Sequence, residues 1–533
     1  RDLRMSRGLG DVYKRQNMNN MRVSTNGGLV TENWFDLNAS RYTPSSTLQR
    51  MELLKTGYMG TLSLGWDNYL FLELTGRQER SSTLKDQSFF YPSANLSFLF
   101  TQAFHMPSWW NYGKLRLSYG IVGNAPETYT ANIVYEQGSD NGFTWNTIPS
   151  SWGNADIRPE KKYEYEIGLE SKFLNNRLGI DISYYNNRVK DQILSTPQPS
   201  TSGVKNVLMN VGEVANHGWD ISISATPILT RDFRWDLTAN YGVYKNKVVK
   251  LADGVPYLEI LNSGGSGIKI QAVEGQPMGD IYAQVPQVNE NGEYLVSDKG
   301  LYLNQTELQK VGNINPAGVG GLFNSFSYKN VFLDFSIDFR IGGDVINEMN
   351  QYATAVGLTP ESLKYRDTEH GGLSYYYPGD NNSSGIPVQV DPSTGAGPNG
   401  EIIYHDGIIL PGVVASTGER NTRIIPAGYY YNTTYNWGTE AEQLTYRHSV
   451  FDNSYVKLRE LTIGYQFPEK MISKLGLGRL SVSVFGRNLF YFYKALKNYD
   501  AESSVGTSWA NQATVGSSTT ATRSFGVSLR ASF

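Results

Sequence analysis

Three carboxylates are spaced so that they could do chemistry together. Glu164, Glu166 and Glu170 fall on one face of a predicted strand, because alternate residues of a strand point to the same side. Two carboxylates facing a common substrate could act as the acid and the nucleophile of a glycoside hydrolase. A row of charged side chains is also what the polar face of a β-barrel requires, and we favour this second interpretation.

No other set of residues has the spacing of a catalytic or ligand-binding motif. G-x-S-x-G and H-E-x-x-H are absent, and the glycine-rich stretches 264–267 and 318–321 do not complete a nucleotide-binding loop. Cysteine is absent, which excludes disulfides and thiolate ligands. The histidines are scattered, without the spacing of metal ligands: His105, His217, His370, His405 and His448. We therefore expect no catalytic, metal or cofactor site, and an enzyme is the least favoured class of function.

Aromatic residues are concentrated in one long predicted connection, residues 342–454. The set consists of two tyrosine triplets and a nearby tryptophan: Tyr375, Tyr376, Tyr377, Tyr429, Tyr430, Tyr431 and Trp437. Aromatic rings stack on sugars and anchor protein interfaces, so these side chains could contact a ligand or a partner. Packing within the loop, or a place in the aromatic belt of a membrane, explains the same residues and stays open.

The elements that must position these residues are β-strands, because period-two alternation runs through the chain. For example, Leu333, Phe335 and Ile337 alternate with Asp334 and Ser336. Roughly thirteen segments fit this template. They lie near residues 57–66, 69–79, 90–100, 113–121, 162–173, 177–187, 217–226, 234–248, 321–328, 331–341, 455–467, 479–489 and 521–533.

The connections between these strands differ in length in a regular way. Tight turns are predicted at residues 67–68, 175–176 and 329–330. Long connections span residues 122–161, 188–216, 249–320, 342–454 and 490–520. An outer-membrane barrel has short periplasmic turns and long extracellular loops, whereas a soluble β-sandwich has no reason for this difference. The sequence therefore predicts an all-β fold, a transmembrane antiparallel β-barrel.

The composition agrees with this fold class. Tyrosine counts 36 and glycine 54 among 533 residues, as expected of strands joined by polar loops. Mean hydropathy is −0.40, and no run approaches the ~18 apolar residues of a membrane helix. The formal net charge of −3 lacks the basic excess that phosphate binding needs, so no nucleic-acid partner is expected.

The first residues do not fit the strand pattern. Residues 1–16 read RDLRMSRGLGDVYKRQ, which is basic, unpatterned and similar to the read-through of a sequencing adaptor. We expect this tail to be non-native and residues 17–533 to be an incomplete barrel; a disordered basic arm is the alternative. An odd number of strands leaves an open edge that lipid does not tolerate, so further strands are expected before residue 17.

The last strand carries the sharpest local signal. Phe525, Val527, Leu529 and Phe533 lie on one face, and glycine, serine and arginine lie on the other. This pattern resembles the signal that outer-membrane proteins present to the outer-membrane assembly machinery. An ordinary terminal strand is the alternative interpretation.

Several stretches together resemble one family of proteins. In the first half of the chain they are residues 158–160, 163–170, 175–178, 210–213, 216–218 and 272–279. In the second half they are residues 326–330, 342–344, 455–461, 464–465 and 486–489. Their order and spacing resemble the SusC/RagA family of TonB-linked outer-membrane proteins. The sequence Asp500-Ala501-Glu502 departs from the family, which often has Asp-Pro-Glu there.

The resemblance implies a nutrient transporter in the outer membrane of a Gram-negative, Bacteroidetes-like bacterium. In this family a SusD-like surface lipoprotein captures a glycan or peptide, TonB acts through an N-terminal plug, and the solute passes the lipid bilayer without any bond being broken. The aromatic residues of 342–454 would then contact the solute or the lipoprotein. Because the plug is not among these 533 residues, the resemblance implies import by a longer parent protein and not by this chain alone. A surface binding or adhesion module without transport is the alternative.

Overall fold

The computed structural model describes residues 3–85, 88–140, 143–263, 267–379, 385–436, 445–473, 476–503, 506, 508–515 and 521–532. The chain divides into two compact units. Residues 1–221 and 246–256 form the first unit, and residues 222–245 and 257–533 form the second.

The first unit is built mainly of long antiparallel strands, each hydrogen-bonded to the next one in the chain. They are β1 (Leu3–Leu29), β2 (Ser40–Trp66), β3 (Leu70–Ser81), β4 (Ser88–Phe98), β5 (Trp110–Asn124), β6 (Glu160–Phe173), β7 (Leu178–Lys190) and β8 (Glu213–Leu229), whose last residues belong to the second unit. The hairpins close tightly, with Trp66 opposite Leu70 and Phe173 opposite Leu178.

The second unit has the same order of neighbours. Its long strands are β9 (Phe233–Lys250, which ends in the first unit), β10 (Gly318–Tyr328), β11 (Val331–Ile341), β12 (Tyr455–Gln466), β13 (Arg479–Lys494) and β14 (Ser524–Ser532). Pairing is again antiparallel, and Tyr328 lies opposite Val331 across the shortest turn.

The long connections contain short strands and helices. In the first unit the short strands are Glu136–Asp140, Phe143–Thr147, Ser151–Trp152, Ile193–Pro197 and Asn206–Asn210. In the second they are Tyr257–Ser263, Ile268–Val273, Asp280–Ala283, Leu295–Val296, Gln309–Asn313, Asp344–Ile346, Leu373–Tyr376, Val388–Gln389, Tyr404–Ile408, Val413–Val414, Ile425–Pro426 and Val450–Asp452.

Helices are few and short. The α-helices are α1 (Phe100–Ala103), α2 (Glu348–Ala355), α3 (Ala427–Tyr435) and α4 (Glu469–Ile472). Single 3₁₀ turns include Leu37–Ala39, Ser200–Ser202, Pro360–Leu363, Tyr446–Ser449 and Asn511–Ala513. Within the described residues, none of the helices has the length and apolar character needed to cross a membrane.

The predicted tight turns are confirmed, and their residue types explain them. Asp67 and Asn68 have φ values of 46° and 60°, and Asn175 and Asn176 have φ values of 57° and 62°. Aspartate and asparagine tolerate this left-handed conformation better than other residues with a side chain, so they suit two-strand hairpins. Lys329 adopts it too, with φ of 54°, at the turn between β10 and β11.

All thirteen predicted strands are confirmed, but the count was one too low. Leu3–Leu29 forms a fourteenth long strand, which pairs with β2 along its whole length. The alternation pattern did not reveal this strand. It also placed the start of β2 too late, because most side chains of residues 40–50 are exposed polar groups without alternation. Backbone pairing, with a few side-chain hydrogen bonds such as that between Ser24 and Ser45, holds such segments. That residues 1–16 are non-native stays a prediction.

The five long connections lie where the sequence predicted them. They span residues 125–159, 191–212, 251–317, 342–454 and 495–523, and we call them the outer connections. The connections at 30–39 and 82–87 leave their strands at the same end but are much shorter. Length alone therefore does not mark every connection at this end.

Most of the buried apolar residues described in the second unit lie in its outer connections. One cluster joins Ile268 and Ile281 of 251–317, Ile346 and Val450 of 342–454, and Ala513 of 495–523. The three connections thus share a hydrophobic core of their own. A loop with such a core keeps a defined shape, which a long structureless loop does not.

Candidate functional site

The terminal strand has its apolar side chains on the outside. Phe525, Val527 and Leu529 are 73%, 72% and 68% exposed. In a water-soluble sheet the apolar face of a strand packs on a core and is buried. Here the apolar face has no protein cover among the described residues, so it fits a surface that lipid covers.

The exposed face continues across neighbouring strands. Val527 of β14 lies opposite Val484 of β13, and Val484 lies opposite Ile463 of β12. All three side chains are exposed. The register therefore makes a lateral band of apolar side chains rather than scattered exposed residues.

The other face of the strands is polar and its charges are paired. The Arg116 guanidinium donates to Asp181 at 2.6 Å and lies 3.5 Å from Glu170. On β6, which lies between the strands of Arg116 and Asp181, Ile167 and Leu169 are more exposed than these charged residues. Apolar groups outside and charges inside reverse the pattern of a soluble protein.

The carboxylate row of β6 fits this polar face. Glu164 lies 2.5 Å from the ammonium of Lys162 and accepts a hydrogen bond from Asn187 at 3.2 Å. Glu170 lies 3.8 Å from Lys172 and also faces Arg116. These carboxylates are engaged by cations of the same face, which agrees with the barrel interpretation rather than with a glycosidase pair.

Aromatic rings collect at the short-turn end of the strands. Trp109, Trp110 and Phe173 lie within 5.4 to 6.0 Å of one another by ring centroids, next to the turn at 174–177. Phe100 of α1 packs edge-on against Trp110 at 5.3 Å. Rings at this level are typical of the girdle where a barrel wall meets the membrane interface.

Hydrogen bonds between residues far apart in the chain, some of them in the stretches that suggested the family resemblance, lie at the base of the outer connections. The amide of Asn210 donates to the carbonyl of Arg158 at 2.7 Å, and its oxygen accepts from the Arg158 N–H at 2.6 Å. In the second unit, Asn313 donates to Asp280 at 2.7 Å through its side chain and to Asp344 at 2.9 Å through its N–H. These bonds fix where each connection leaves its strands.

Glu502, which follows the departure from the family pattern at Ala501, is part of another such anchor. Glu502 accepts hydrogen bonds from Lys457 at 2.6 Å and from Arg459 at 2.5 Å. Arg459 also donates to Asp338 at 2.5 Å and to Asn488 at 2.8 Å. Lys457 is only 2% exposed, so it depends on this carboxylate for its neutralisation.

Two of the first tyrosine triplet lie inside their loop. Tyr375 and Tyr377 are buried and pack with Ile424. The Tyr375 hydroxyl donates to Asp406 at 3.1 Å, and its ring stacks on Tyr404 at 5.5 Å. Burial raises the pKa of Tyr375 far above its ordinary value. For these two residues the structure fits the alternative of packing within the loop, while Tyr376 is partly exposed.

The second triplet lies on α3. Tyr431 is buried; its hydroxyl donates to the carbonyl of Glu361 at 2.9 Å, and burial raises its pKa to about 12. Tyr429 and Tyr430 are partly buried against a cluster that includes Leu301. Trp437 lies outside the described residues, as does Phe533 of the assembly signal. Contact of these tyrosines with a solute or lipoprotein stays a prediction.

One serine and one histidine come within catalytic distance. Ser374 Oγ lies 2.8 Å from His405 Nδ1. Ser374 is buried in the loop, and the neighbouring Asp406 accepts from Tyr375 rather than from His405. Among the residues that the structure describes, the pair therefore lacks both an accessible hydroxyl and a carboxylate that orients the imidazole. No group of three or more potential metal ligands occurs among the described residues.

Residues 4–287, more than half of the chain, match the protein family described as "TonB dependent receptor-like, beta-barrel". The chain belongs to this family. TonB-dependent receptors are β-barrels of the Gram-negative outer membrane, so the exposed apolar band is the face that lipid covers.

Similar proteins with names indicate which group of TonB-dependent receptors the chain resembles. TonB-dependent receptor P3 of Formosa agariphila is 24% identical over 494 residues, covering 84% of this chain and 42% of that protein. TonB-dependent receptor SusC of Bacteroides thetaiotaomicron is 30% identical over 247 residues, covering 43% of this chain and 24% of that protein. The predicted SusC/RagA kinship is confirmed, and this TonB-dependent receptor chain spans less than half the length of these curated relatives.

The fold has a solved counterpart. The structure of the RagAB peptide importer in the "closed-closed" state superposes with a TM-score of 0.65 at 18% identity, covering 92% of this chain and 50% of that chain. At this identity the likeness concerns the fold. It confirms the predicted transmembrane β-barrel class.

Sequence reasoning missed the anchors beneath the outer connections. Asn313, Asp280 and Asp344 are far apart in the chain, and nothing in their local patterns indicates that they touch. The usable signal was indirect: of the stretches of the family resemblance, 342–344 ends at Asp344 and 272–279 ends just before Asp280.

Proposed function

We propose that the protein takes part in TonB-dependent import of glycans or peptides across the outer membrane, together with a SusD-like surface lipoprotein. The observation that carries the proposal is the combination of a lipid-facing band with outer connections that have cores of their own. Connections of defined shape are able to present a binding surface, whereas the strands below them supply the wall. The kinship with SusC supports a nutrient receptor, and the fold shared with the RagAB peptide importer supports a peptide as one of the two solute classes.

The proposal also names the remaining partners. TonB would supply the energy, the outer-membrane assembly machinery would insert the barrel, and the terminal strand with Phe525, Val527 and Leu529 would be its recognition signal. The charged polar face favours a hydrated solute path over an apolar one.

Uptake by the bacterium that encodes the protein tests the proposal. Deleting the gene should abolish energy-dependent uptake of a particular glycan or peptide, and the full-length gene should restore it only in cells with functional TonB. Detergent extraction should recover the protein with a surface lipoprotein attached. Unchanged uptake together with lost attachment to cells or glycans would instead support a binding or adhesion module.

The tyrosine prediction is best tested where the rings are accessible. Replacing Tyr376 and Tyr429 with alanine in the full-length protein should weaken uptake or lipoprotein affinity, because both rings are only partly buried. Replacing the buried Tyr375 serves as the comparison, since it reports the stability of the loop. If the variant that lacks both Tyr376 and Tyr429 and the variant that lacks Tyr375 both transport normally, the tyrosines only pack the loop.

A further inference from the structure

Basic side chains collect at the outer end of two neighbouring strands of the first unit, β6 and β7. Lys161, Arg188 and Lys190 are all exposed. Lys161 lies directly opposite Lys190 in the register of the two strands, and Arg188 lies opposite Tyr163. Because opposite residues of an antiparallel pair share a face, all three charges stand on one side of the sheet. We call Lys161, Arg188 and Lys190 the basic rim.

The basic rim lies on the same face as the apolar side chains that lipid covers. Alternation carries this face along β6 from Lys161 through Tyr163 and Tyr165 to Ile167 and Leu169. The last three of these residues are exposed, although none of them is charged. The rim is therefore separate from the paired charges of the polar face, which point to the other side of the same strands.

Aromatic rings lie between the basic rim and the apolar side chains. The rings of Tyr165 and Tyr184 are 6.5 Å apart, and those of Tyr184 and Trp219 are 4.9 Å apart. Such rings mark the level at which a barrel wall meets the lipid headgroups. At the other end of the same face, Phe173 belongs to the ring cluster beside the turn at 174–177. The face thus has an aromatic girdle at each end.

The length of β6 places the basic rim at the level of the outer headgroups. Phe173 and Lys161 are twelve residues apart on this strand. At ~3.3 Å per residue and a strand tilt of about 40°, this segment spans roughly 30 Å along the membrane normal. The apolar band of an outer-membrane barrel is about 25 Å tall. With Phe173 at the inner interface, Lys161 lies just beyond the outer edge of the band.

The basic rim carries more positive charge than its neighbours neutralise. Glu213 of β8 lies 2.9 Å from Arg188 and 3.7 Å from Lys190, so one carboxylate serves two cations. Lys161 forms no ion pair with a carboxylate among the residues that the structure describes. Two lysines directly opposite each other repel, because their side chains begin only about 5 Å apart. An anion bound between them removes this repulsion.

We propose that the basic rim binds the phosphate groups of an anionic lipid in the outer leaflet of the membrane. Ammonium and guanidinium groups form strong, charge-assisted hydrogen bonds with phosphate oxygens. Basic clusters beside a membrane-spanning segment attract anionic headgroups within a Debye length of the surface.

The position of the basic rim selects a lipid over other anions. Acyl chains that cover Ile167 and Leu169 hold their own headgroup at the end of the same face, next to the rim. A free anion lacks this second contact, and a protein partner would have to displace the acyl chains. The inference concerns the wall of the barrel, so it does not depend on which solute is imported.

The test uses the full-length protein in a neutral detergent, with diphosphoryl lipid A as the probe and a binding titration as the measurement. Lys161→Gln combined with Lys190→Gln should raise the dissociation constant about tenfold or more, because each lysine at a charged headgroup contributes to affinity. Lys161→Arg combined with Lys190→Arg should stay within about threefold of the wild type, since arginine keeps the charge. Heat-modifiable gel migration checks that these variants of exposed residues fold.

Two controls separate the basic rim from net charge and from acyl-chain contact. Lys205→Gln combined with Lys364→Gln removes two exposed lysines of the outer connections. Its dissociation constant should stay within about twofold of the wild type, because distant exposed charges are screened. Lipid A without its phosphates should bind equally to the wild type and to the glutamine variant of the rim.

Three results would overturn the proposal. If the glutamine variant of the rim binds diphosphoryl lipid A as tightly as the wild type, the rim does not hold the lipid. If inorganic phosphate at the same concentration displaces the lipid completely, the site takes a free anion. If the variant loses self-association while its lipid affinity is unchanged, a second copy covers the rim. Uptake is not measured in this test, so the proposed function stands or fails separately.

Discussion

At the scale of single residues, Glu502 neutralises two cations at once. Glu502→Gln keeps the shape but leaves Lys457, which is almost fully buried, without its counter-charge. We expect the segment 495–503 to open more easily by about 2 kcal/mol. Hydrogen exchange of its amides in the detergent-purified protein measures this change. Glu419→Gln is the control, since Glu419 is exposed, and equal exchange in both variants would contradict the prediction.

The acid stability of the same anchor follows from its pKa. Burial by itself raises the pKa of Glu502. Its bonds with Arg459 and Lys457 outweigh this effect and lower the pKa to about 2. A carboxylate whose pKa is lower in the folded than in the unfolded state stabilises the fold at pH values above its unfolded-state pKa. This contribution is lost as the pH falls through its folded-state pKa. The anchor should therefore weaken between about pH 4.5 and pH 2. In Glu502→Gln, hydrogen exchange of 495–503 should lose this part of its pH dependence.

His448 should cause a second loss of local stability on acidification, at a higher pH than that of Glu502. Its ring stacks on Tyr435 at 4.3 Å, and burial together with the nearby Arg447 lowers its pKa to about 4. Between pH 6.5 and 4 the unfolded segment takes up a proton that the folded one does not. Local stability should therefore fall as the pH is lowered through this window.

The replacement His448→Phe tests this effect, because phenylalanine can keep the stack on Tyr435 but does not titrate. Limited proteolysis of the outer connection 342–454 should become pH-dependent below pH 6.5 in the wild type and less so in the variant. His370→Phe is the control, since His370 is exposed. A wild type whose cleavage rate is constant from pH 7 to pH 4.5, after correction for the protease, would contradict the prediction.

At the scale of elements, β14 combines an apolar and a polar face. Val527→Arg places a charge in the exposed band opposite Val484, which should cost about 2–4 kcal/mol if the band faces the middle of the bilayer. We expect less protein in the outer-membrane fraction and less heat-modifiable migration.

The neighbouring residue provides the control for this strand. Ser528→Arg introduces the same charge on the opposite face, where it pairs in register with Ser483. Its level in the outer membrane should stay near that of the wild type. Equal loss in both variants would mean that β14 is simply intolerant of arginine, and that its apolar face has no special contact with lipid.

At the scale of the whole molecule, the exposed band decides how the protein behaves in solution. Apolar side chains that form a lateral band without protein cover make a chain insoluble unless lipid or detergent covers them. The protein should sediment from aqueous buffer and stay dispersed in detergent with a β-sheet spectrum. A monodisperse, detergent-free monomer in the ultracentrifuge would contradict this prediction.

Much of the architecture was readable from local sequence. Period-two alternation located thirteen of the fourteen long strands, since a strand with one apolar face must alternate. Asn68 and Asn176 marked hairpin turns, because their side chains tolerate positive φ. β1 was missed because its side chains do not alternate, and its backbone pairing with β2 is what defines it.

What the sequence alone determined was the set of strands, their turns and the kinship with a family, all of which depend on neighbouring residues. What the tertiary structure decided was which face is exposed and what the outer connections bury. Alternation does not say whether an apolar face meets lipid or a protein core, and only the uncovered band at Val527 shows this. The same holds for the tyrosines: Tyr375 and Tyr376 are neighbours of one type, yet only packing with distant residues buries the first and leaves the second partly exposed.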